Sequence, residues 1–386
     1  MNNNSDLLTR RVEKILPSKE GLEKLIASKK IRLYQGFDPT FKDLHLGHTI
    51  GFRKLMDFAR AGHEVIFLFG TGTVLAGDPS ERDTGRKLIT QEEIDENIKT
   101  WKEQVSKIVD FDLVKIRQNG DWLTKLTLKD IIKIGSNISA TQLFKRENFT
   151  RRIAKGDVVW YHETMYPLLQ GYDSVVMDVD LEIGGTDQEF NMLIGRELQK
   201  KMNGREKFVL TTPMINGLDG KKMSKSMGNC IWLTDKAEDI YAKIMSMSDD
   251  MITTYFELVT DIPMEEIKAL DPSKPIENKK RLAFDITRQL HGEAGAQAGA
   301  TYYDTVIQSK AAPSDLPIIK VKAGTPLLEI LKAASIGVSN SDIKRTLEQG
   351  GVELDGVRVT DPLATPTGSI LKFGKHTFRK ISYDTH

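Results

Sequence analysis

The first regular pattern is an apolar-rich run at 31–36, then a polar turn, then Phe52, Leu55, Met56 and Ala59 at helical spacing. That spacing predicts one apolar stripe on a helix over 46–61, stopped by Gly62. The continuous apolar run at 65–69 reads as a strand, so the three elements form a β-α-β unit. Near-continuous apolar strands predict a parallel sheet covered on both faces. Thr90-Gln91-Glu92-Glu93 is a capping box ahead of Ile94, Ile98, Trp101, Val105 and Ile108, which read as the core face of a helix. Further strands are expected at 114–117 and 175–179, and two short helices broken at Pro17 within 6–30. Residues 123–160 read as mixed helix and loop, and 232–308 as helical, with one helix opening at Asn278 and ending near Gly292. Toward the end, Leu327, Leu328, Ile330 and Leu331 start an apolar helix, while Val352, Leu354, Val357 and Val359 alternate like a strand.

Composition narrows the class. The 386 residues allow two or three domains. A net charge of +1 gives no overall pull toward polyanions, so any nucleic-acid contact must come from local basic patches. From Lys320 onward there are ten Lys and Arg against seven Asp and Glu, a mild surplus. The single cysteine, Cys230, excludes an intramolecular disulfide and fits a reducing compartment. The residues after Met1 lack the apolar core of a signal peptide, and no apolar run is long enough to span a bilayer. A soluble, cytoplasmic protein with no membrane partner is the expectation.

The chemistry begins where the first strand ends. Tyr34-Gln-Gly-Phe-Asp-Pro-Thr40 leads to His45-Leu-Gly-His48 at the expected helix start. His45 and His48, three apart, share one side of the first turn, where unpaired N–H groups and a partial positive charge favour phosphates. Gly47 lets a flat ring lie against the backbone. Chance produces His-x-Gly-His in a chain of this composition about once in a hundred. Lys222-Met-Ser-Lys225-Ser226 follows in a glycine-rich run; alone it is a solvated basic loop. Tyr166, Gln170 and Asp173 are spaced four and three apart and share a helix face. A phenol, an amide and a carboxylate suit a core only if each finds a partner; otherwise the face is exposed. Ile183-Gly-Gly185-Thr-Asp187-Gln188 is a second glycine-rich strand-to-helix turn.

Together the histidine and lysine motifs resemble the ATP site of class I aminoacyl-tRNA synthetases, and Tyr34, Gly36, Phe37, Asp38, Pro39 and Thr40 narrow the resemblance to the bacterial tyrosyl-tRNA synthetase family. The resemblance implies a Rossmann-like parallel-sheet α/β catalytic domain over 1–215, with a connecting insertion at about 123–160 that forms a homodimer interface. It implies a lysine-motif loop and helical domain over 216–308, a linker at 309–319, and a small α+β, S4-like RNA-binding domain over 320–386. The implied activity is tyrosine activation by ATP with Mg²⁺, then transfer to tRNA(Tyr). No tightly bound cofactor and no protein-held metal are implied. Thr40, His45, His48, Lys222, Lys225, Arg82 and Arg86 would stabilise the phosphates. Gly36, Asp38, Gly47, Gly185, Asp187 and Lys225 would bind ATP. Tyr34 and Asp173 would hold the substrate phenol, Thr73, Asp78, Tyr166 and Gln170 its amino group, and Gln188 would lie near its carboxylate. Lys344 and Arg345 would grip RNA. The alternatives are a tryptophanyl-tRNA synthetase, a small-metabolite nucleotidyltransferase using the same histidine motif, and a non-catalytic RNA-binding relative.

Overall fold

A computed structural model describes residues 6–79, 89–221, 223, 228–308, 316–334, 339–374 and 377–384. The chain divides into two compact units, Met1–Glu293 and Ala294–His386. Residues 309–315 of the expected linker lie outside the described residues.

The first unit is built on a six-stranded sheet of order β1-β6-β5-β2-β3-β4. Its strands are β1 (Lys14–Leu16), β2 (Arg32–Phe37), β3 (Glu64–Phe69), β4 (Val114–Gln118), β5 (Leu181–Gly185) and β6 (Phe208–Thr212). The last five are mutually parallel, and β1 runs antiparallel on the edge beside β6. Val65 to Phe69 on β3 are all buried, as a central strand covered on both faces requires. The helix Thr49–Arg60 is buried nearly all round, including Arg53 and Lys54. These charges are tolerated because they are paired. Arg53 meets Asp261, and Lys54 donates to the carbonyls of Leu7 and Arg10.

Two expected elements are different. Residues 6–16 are not helical; they form turns and then β1, whose register opposite Thr211, Leu210 and Val209 is set by the sheet edge. Residues 175–179 are not a strand. The helix Tyr161–Met177 runs through them until Asp178 takes a left-handed φ of 46°, and the strand begins at Leu181. Glycines explain the helix. Gly171 lies so close to Gly195 of the helix Glu189–Asn203 that a Cβ at 171 would sit 3.0 Å from the Gly195 Cα. This packing outweighs the β preference of the apolar stretch. The insertion does carry short helices, Leu128–Gly135, Ala140–Phe144 and Glu147–Ala154. The helix Pro275–Tyr302 is interrupted at Gly292, where φ is 75°.

The second unit holds a sheet of order β7-β11-β10-β8-β9, with β7 (Ile318–Lys322), β8 (Val352–Leu354), β9 (Val357–Arg358), β10 (Ile370–Phe373) and β11 (Thr377–Asp384). The helices Leu327–Ala333 and Asn340–Glu348 cover it. The alternating run at 352–359 is a hairpin rather than one strand. Asp355 and Gly356, both at positive φ, turn the chain, which leaves Val357 exposed. Among the described residues no helix is long and apolar enough to cross a membrane.

Candidate active site

Strand order reverses between β2 and β5: the chain builds outward through β3 and β4, then returns to the other side of β2. In such sheets ligands bind beyond the carboxyl ends of the strands at this reversal. A cavity of about 450 Å³ lies there. Tyr34, Gly36, Asp38, Thr40, His45, Gly47, His48, Thr73, Asp78, Tyr166, Gln170, Asp173, Gly185, Asp187 and Gln188 all line it. Met223 of the lysine motif lines it too, whereas Lys222, Lys225, Arg82 and Arg86 lie outside the described residues. Lys344 and Arg345 belong to the second unit, exposed on the helix Asn340–Glu348, where Arg345 pairs with Asp342 at 2.6 Å.

At one end of the cavity stand Tyr34 and Asp173, both buried. The hydroxyl of Tyr34 is bonded to Ser174 Oγ at 2.8 Å, and not to Asp173. Asp173 instead accepts from Asn119 Nδ2 at 3.0 Å and from the Trp122 indole N–H at 2.8 Å. Burial pushes its carboxyl up to about 8, against the downward pull of these two donors. Burial, and then the charge of Asp173, raise the Tyr34 phenol, so it stays protonated as a donor.

The middle of the cavity is rich in acceptors. Asp38 accepts from the Thr73 hydroxyl at 2.7 Å and the Tyr166 hydroxyl at 2.9 Å. Burial, then the nearby charges of Asp38 and Asp78, raise the Tyr166 phenol. Asp78 accepts from Gln188 Nε2 at 2.8 Å and from Arg146 at 3.4 Å. Gln170 turns Nε2 to Glu182 at 3.1 Å; a carboxylate only accepts, which fixes the amide's direction. Its Oε1 is buried with no partner among the described residues. Two carboxylates and an amide oxygen suit a small ammonium group. Tyr166 and Asp173 are therefore not on a solvated helix face.

At the far end, Leu46–His48 form a short 3-10 turn leading into the Thr49 helix. The two imidazole centroids are 3.9 Å apart. Burial, with the neighbouring His48, lowers the His45 pKa to about 2, and burial lowers that of His48 to about 4. Both rings are neutral near pH 7. His48 Nδ1 lies 3.1 Å from the His45 backbone N–H, from which it can accept, and 3.2 Å from the His45 carbonyl, to which it can donate, so either tautomer holds the ring against its own turn. A Cβ at Gly47 would come within 3.1 Å of the His45 ring, so a side chain here would push the ring by a few tenths of an ångström. At the second glycine turn, Gln188 Nε2 also donates to Asp187 at 2.8 Å.

Sequence reasoning missed Asn119, Trp122, Ser174, Glu182 and Lys207 as parts of the site. One signal was available for Asn119 and Trp122. They follow β4, at the same carboxyl edge as the motifs that were found. Among the described residues no group of three or more His, Cys, Asp or Glu side chains could hold a metal ion.

A reversing parallel sheet, with a cavity at its switch point and a histidine turn at a helix start, defines a doubly wound α/β protein with its ligand site at the carboxyl edge of the strands. A family described as "tRNA synthetases class I (W and Y)" matches residues 27–307, and the chain belongs to it, on its bacterial tyrosyl side. The chain is 39% identical over 383 residues to tyrosine–tRNA ligase 2 of Vibrio parahaemolyticus, covering 97% of each protein. It is 38% identical over 386 residues to tyrosine–tRNA ligase of Thermotoga maritima, covering 97% of this chain and 96% of that one. Its fold matches the C-terminally truncated mitochondrial tyrosyl-tRNA synthetase of Aspergillus nidulans with a TM-score of 0.66 at 23% identity, over 76% of this chain and 90% of that one.

Proposed function

We propose that this enzyme activates L-tyrosine with ATP and passes the tyrosyl group to tRNA(Tyr). The tyrosine carboxylate attacks the α-phosphate, pyrophosphate leaves, and a terminal ribose hydroxyl of the tRNA then takes the tyrosyl group from the adenylate. A carboxylate is already a nucleophile, so the first step needs positioning and charge stabilisation rather than a general base. The observation that carries this reading is one cavity that joins a buried phenol–carboxylate end, Tyr34 and Asp173, to the histidine turn.

Tyrosine lies with its phenol at Tyr34 and Asp173. Its ammonium sits among Asp78, Tyr166 and Gln170, with Thr73 holding Asp38 in place beside them. ATP lies over Gly36, Gly47 and Gly185, with its ribose at Asp187. Neutral His45 and His48, with Thr40, donate to the phosphates, and Arg82, Arg86, Lys222 and Lys225 supply the positive charge. Mg²⁺ arrives with ATP as part of that substrate. Exposed Leu128, Ile132, Trp160 and Tyr161 in the insertion support a homodimer face. Lys344 and Arg345 contact tRNA phosphates.

The test is ATP–pyrophosphate exchange with each of the twenty amino acids. Exchange with tyrosine far above all others is expected. Equal exchange with tryptophan or phenylalanine would overturn the assignment of the phenol end.

A further inference from the structure

Ser174, Glu182 and Lys207 gather behind Tyr34, away from the cavity, and none is more than 2% exposed. They come from three elements: the helix Tyr161–Met177, strand β5, and the residue just before β6. Lys207 Nζ donates to Ser174 Oγ at 2.6 Å and forms an ion pair with Glu182. Ser174 Oγ is in turn 2.8 Å from the Tyr34 hydroxyl. The Lys207 ammonium also lies 5.7 Å from the centre of the Tyr34 ring.

Donor directions follow from chemistry. Burial lowers the Lys207 pKa and the charge of Asp173 raises it; paired with Glu182 the group is held as an ammonium, which only donates, so Ser174 Oγ accepts from Lys207. The serine has one proton and two places to send it. Glu182 is 3.4 Å away, beyond the usual O–H···O distance, and Tyr34 is at 2.8 Å, within it. With the Ser174 proton directed at Tyr34, the Tyr34 proton points into the cavity. On the far side Asp173, held by Asn119 and Trp122, is an acceptor once its carboxyl, at about 8, is ionised.

We propose that Ser174 and Lys207 are positioning residues for substrate specificity: they aim the Tyr34 hydroxyl into the cavity as a donor, so that only a para-hydroxyl completes a chain of donors from the Lys207 ammonium to the Asp173 carboxylate. This rests on the reading that the cavity holds tyrosine. The substrate oxygen accepts from Tyr34 and its proton goes to Asp173. Each link polarises the next, so the chain is stronger than its separate bonds. Phenylalanine breaks it in the middle and leaves both ends unpaired.

A buried ion pair could instead serve only to tie β5 and the start of β6 to the helix. Such a role would weaken all substrates alike. The experiment measures kcat and KM in pyrophosphate exchange for tyrosine and phenylalanine, using Ser174→Ala, Tyr34→Phe and the two combined. Lys207→Met alone strands Glu182, so the lysine is tested in the pair K207M/E182Q. The wild type is expected to prefer tyrosine. In Ser174→Ala the tyrosine KM should rise about tenfold with phenylalanine unchanged, the size of one hydrogen bond. Adding Ser174→Ala to Tyr34→Phe should change little further, because the serine acts through that hydroxyl. The lysine pair should lower the tyrosine preference in the same direction. Equal losses for both amino acids, or additive effects of Ser174→Ala and Tyr34→Phe, would overturn the relay. A wild type with no preference for tyrosine would instead overturn the functional reading beneath it.

Discussion

Asn119 donates from Nδ2 to Asp173 Oδ2 at 3.0 Å, although the two residues are 54 positions apart. The same amide donates to Thr73 Oγ1 at 3.0 Å, and its oxygen accepts from the Gly72 N–H at 2.6 Å. One side chain thus ties the Thr73 and Asp173 walls of the cavity together. The Asp173 carboxyl, at about 8, is raised above its ordinary 3.8. Between those values the folded protein holds a proton that the unfolded chain has released. Its contribution to stability therefore falls as pH rises through that window, while its power to accept from a phenol grows. We expect kcat/KM for tyrosine to rise with pH through an inflection near pH 8 and to level off above it, and Asn119→Leu to move the inflection upward and raise the tyrosine KM about tenfold or more. An inflection that stays put in the variant would detach Asn119 from Asp173.

Discrimination against phenylalanine depends on polar groups that a missing hydroxyl leaves unpaired. Tyr34→Phe should cost roughly 0.5–1.5 kcal/mol of it, the net value of a neutral hydrogen bond. Above pH 8, where Asp173 is ionised, Asp173→Ala should cost more, because the bond to its carboxylate is charge-assisted. Competition between the two amino acids in adenylate formation measures both.

Half-buried, neutral histidines make stability depend on acid. The folded values, about 2 for His45 and about 4 for His48, lie below the ordinary 6.5. Their contribution is fully present above pH 6.5 and is lost as pH falls, because the unfolded chain takes up the protons first. Each histidine should give a slope of about 1.4 kcal/mol per pH unit below that point. Asp173 runs the opposite way over this range. The histidine part is therefore read as the difference between wild type and a His45→Asn, His48→Asn double variant, in urea unfolding from pH 7 to 5.5. Parallel slopes would mean that the rings are charged in the folded enzyme.

Gly171→Ala should destabilise the first unit by about 1–3 kcal/mol, the usual cost of overpacking. The added carbon would meet the backbone of Gly195 at 3.0 Å and the Leu198 side chain at 2.9 Å, and backbone yields poorly. Thermal unfolding reads the loss. Half-buried Gly135, with no atom within 4 Å of such a carbon, serves as the control.

The second unit has a core of its own, which includes Leu327, Ile330, Val352, Leu371 and Ile381. Ending the chain near Leu316 should keep tyrosine-dependent pyrophosphate exchange and lose most tRNA charging. Lys344→Ala with Arg345→Ala should reproduce part of that loss and flatten its salt dependence, as expected when phosphate contacts are removed. Full charging by the shortened chain at physiological salt would remove this unit from tRNA recognition.

Local pattern was enough for much of the fold and for the outline of the site. The buried run of β3, the stripe on the Thr49 helix and the shared face of Tyr166, Gln170 and Asp173 depend on periods of two or 3.6 residues, which a short stretch of chain carries by itself. Only the tertiary structure decided the rest. Residues 14–16 became a strand because an edge was open beside β6, and 175–177 stayed helical because two glycines let helices meet. Burial made His45 and His48 neutral. Ser174, not Asp173, became the partner of Tyr34, where Lys207, just before β6, donates to it and pairs with Glu182 of β5. Protonation and hydrogen-bond partners depend on what lies within a few ångströms in space, and no window of sequence contains that neighbourhood.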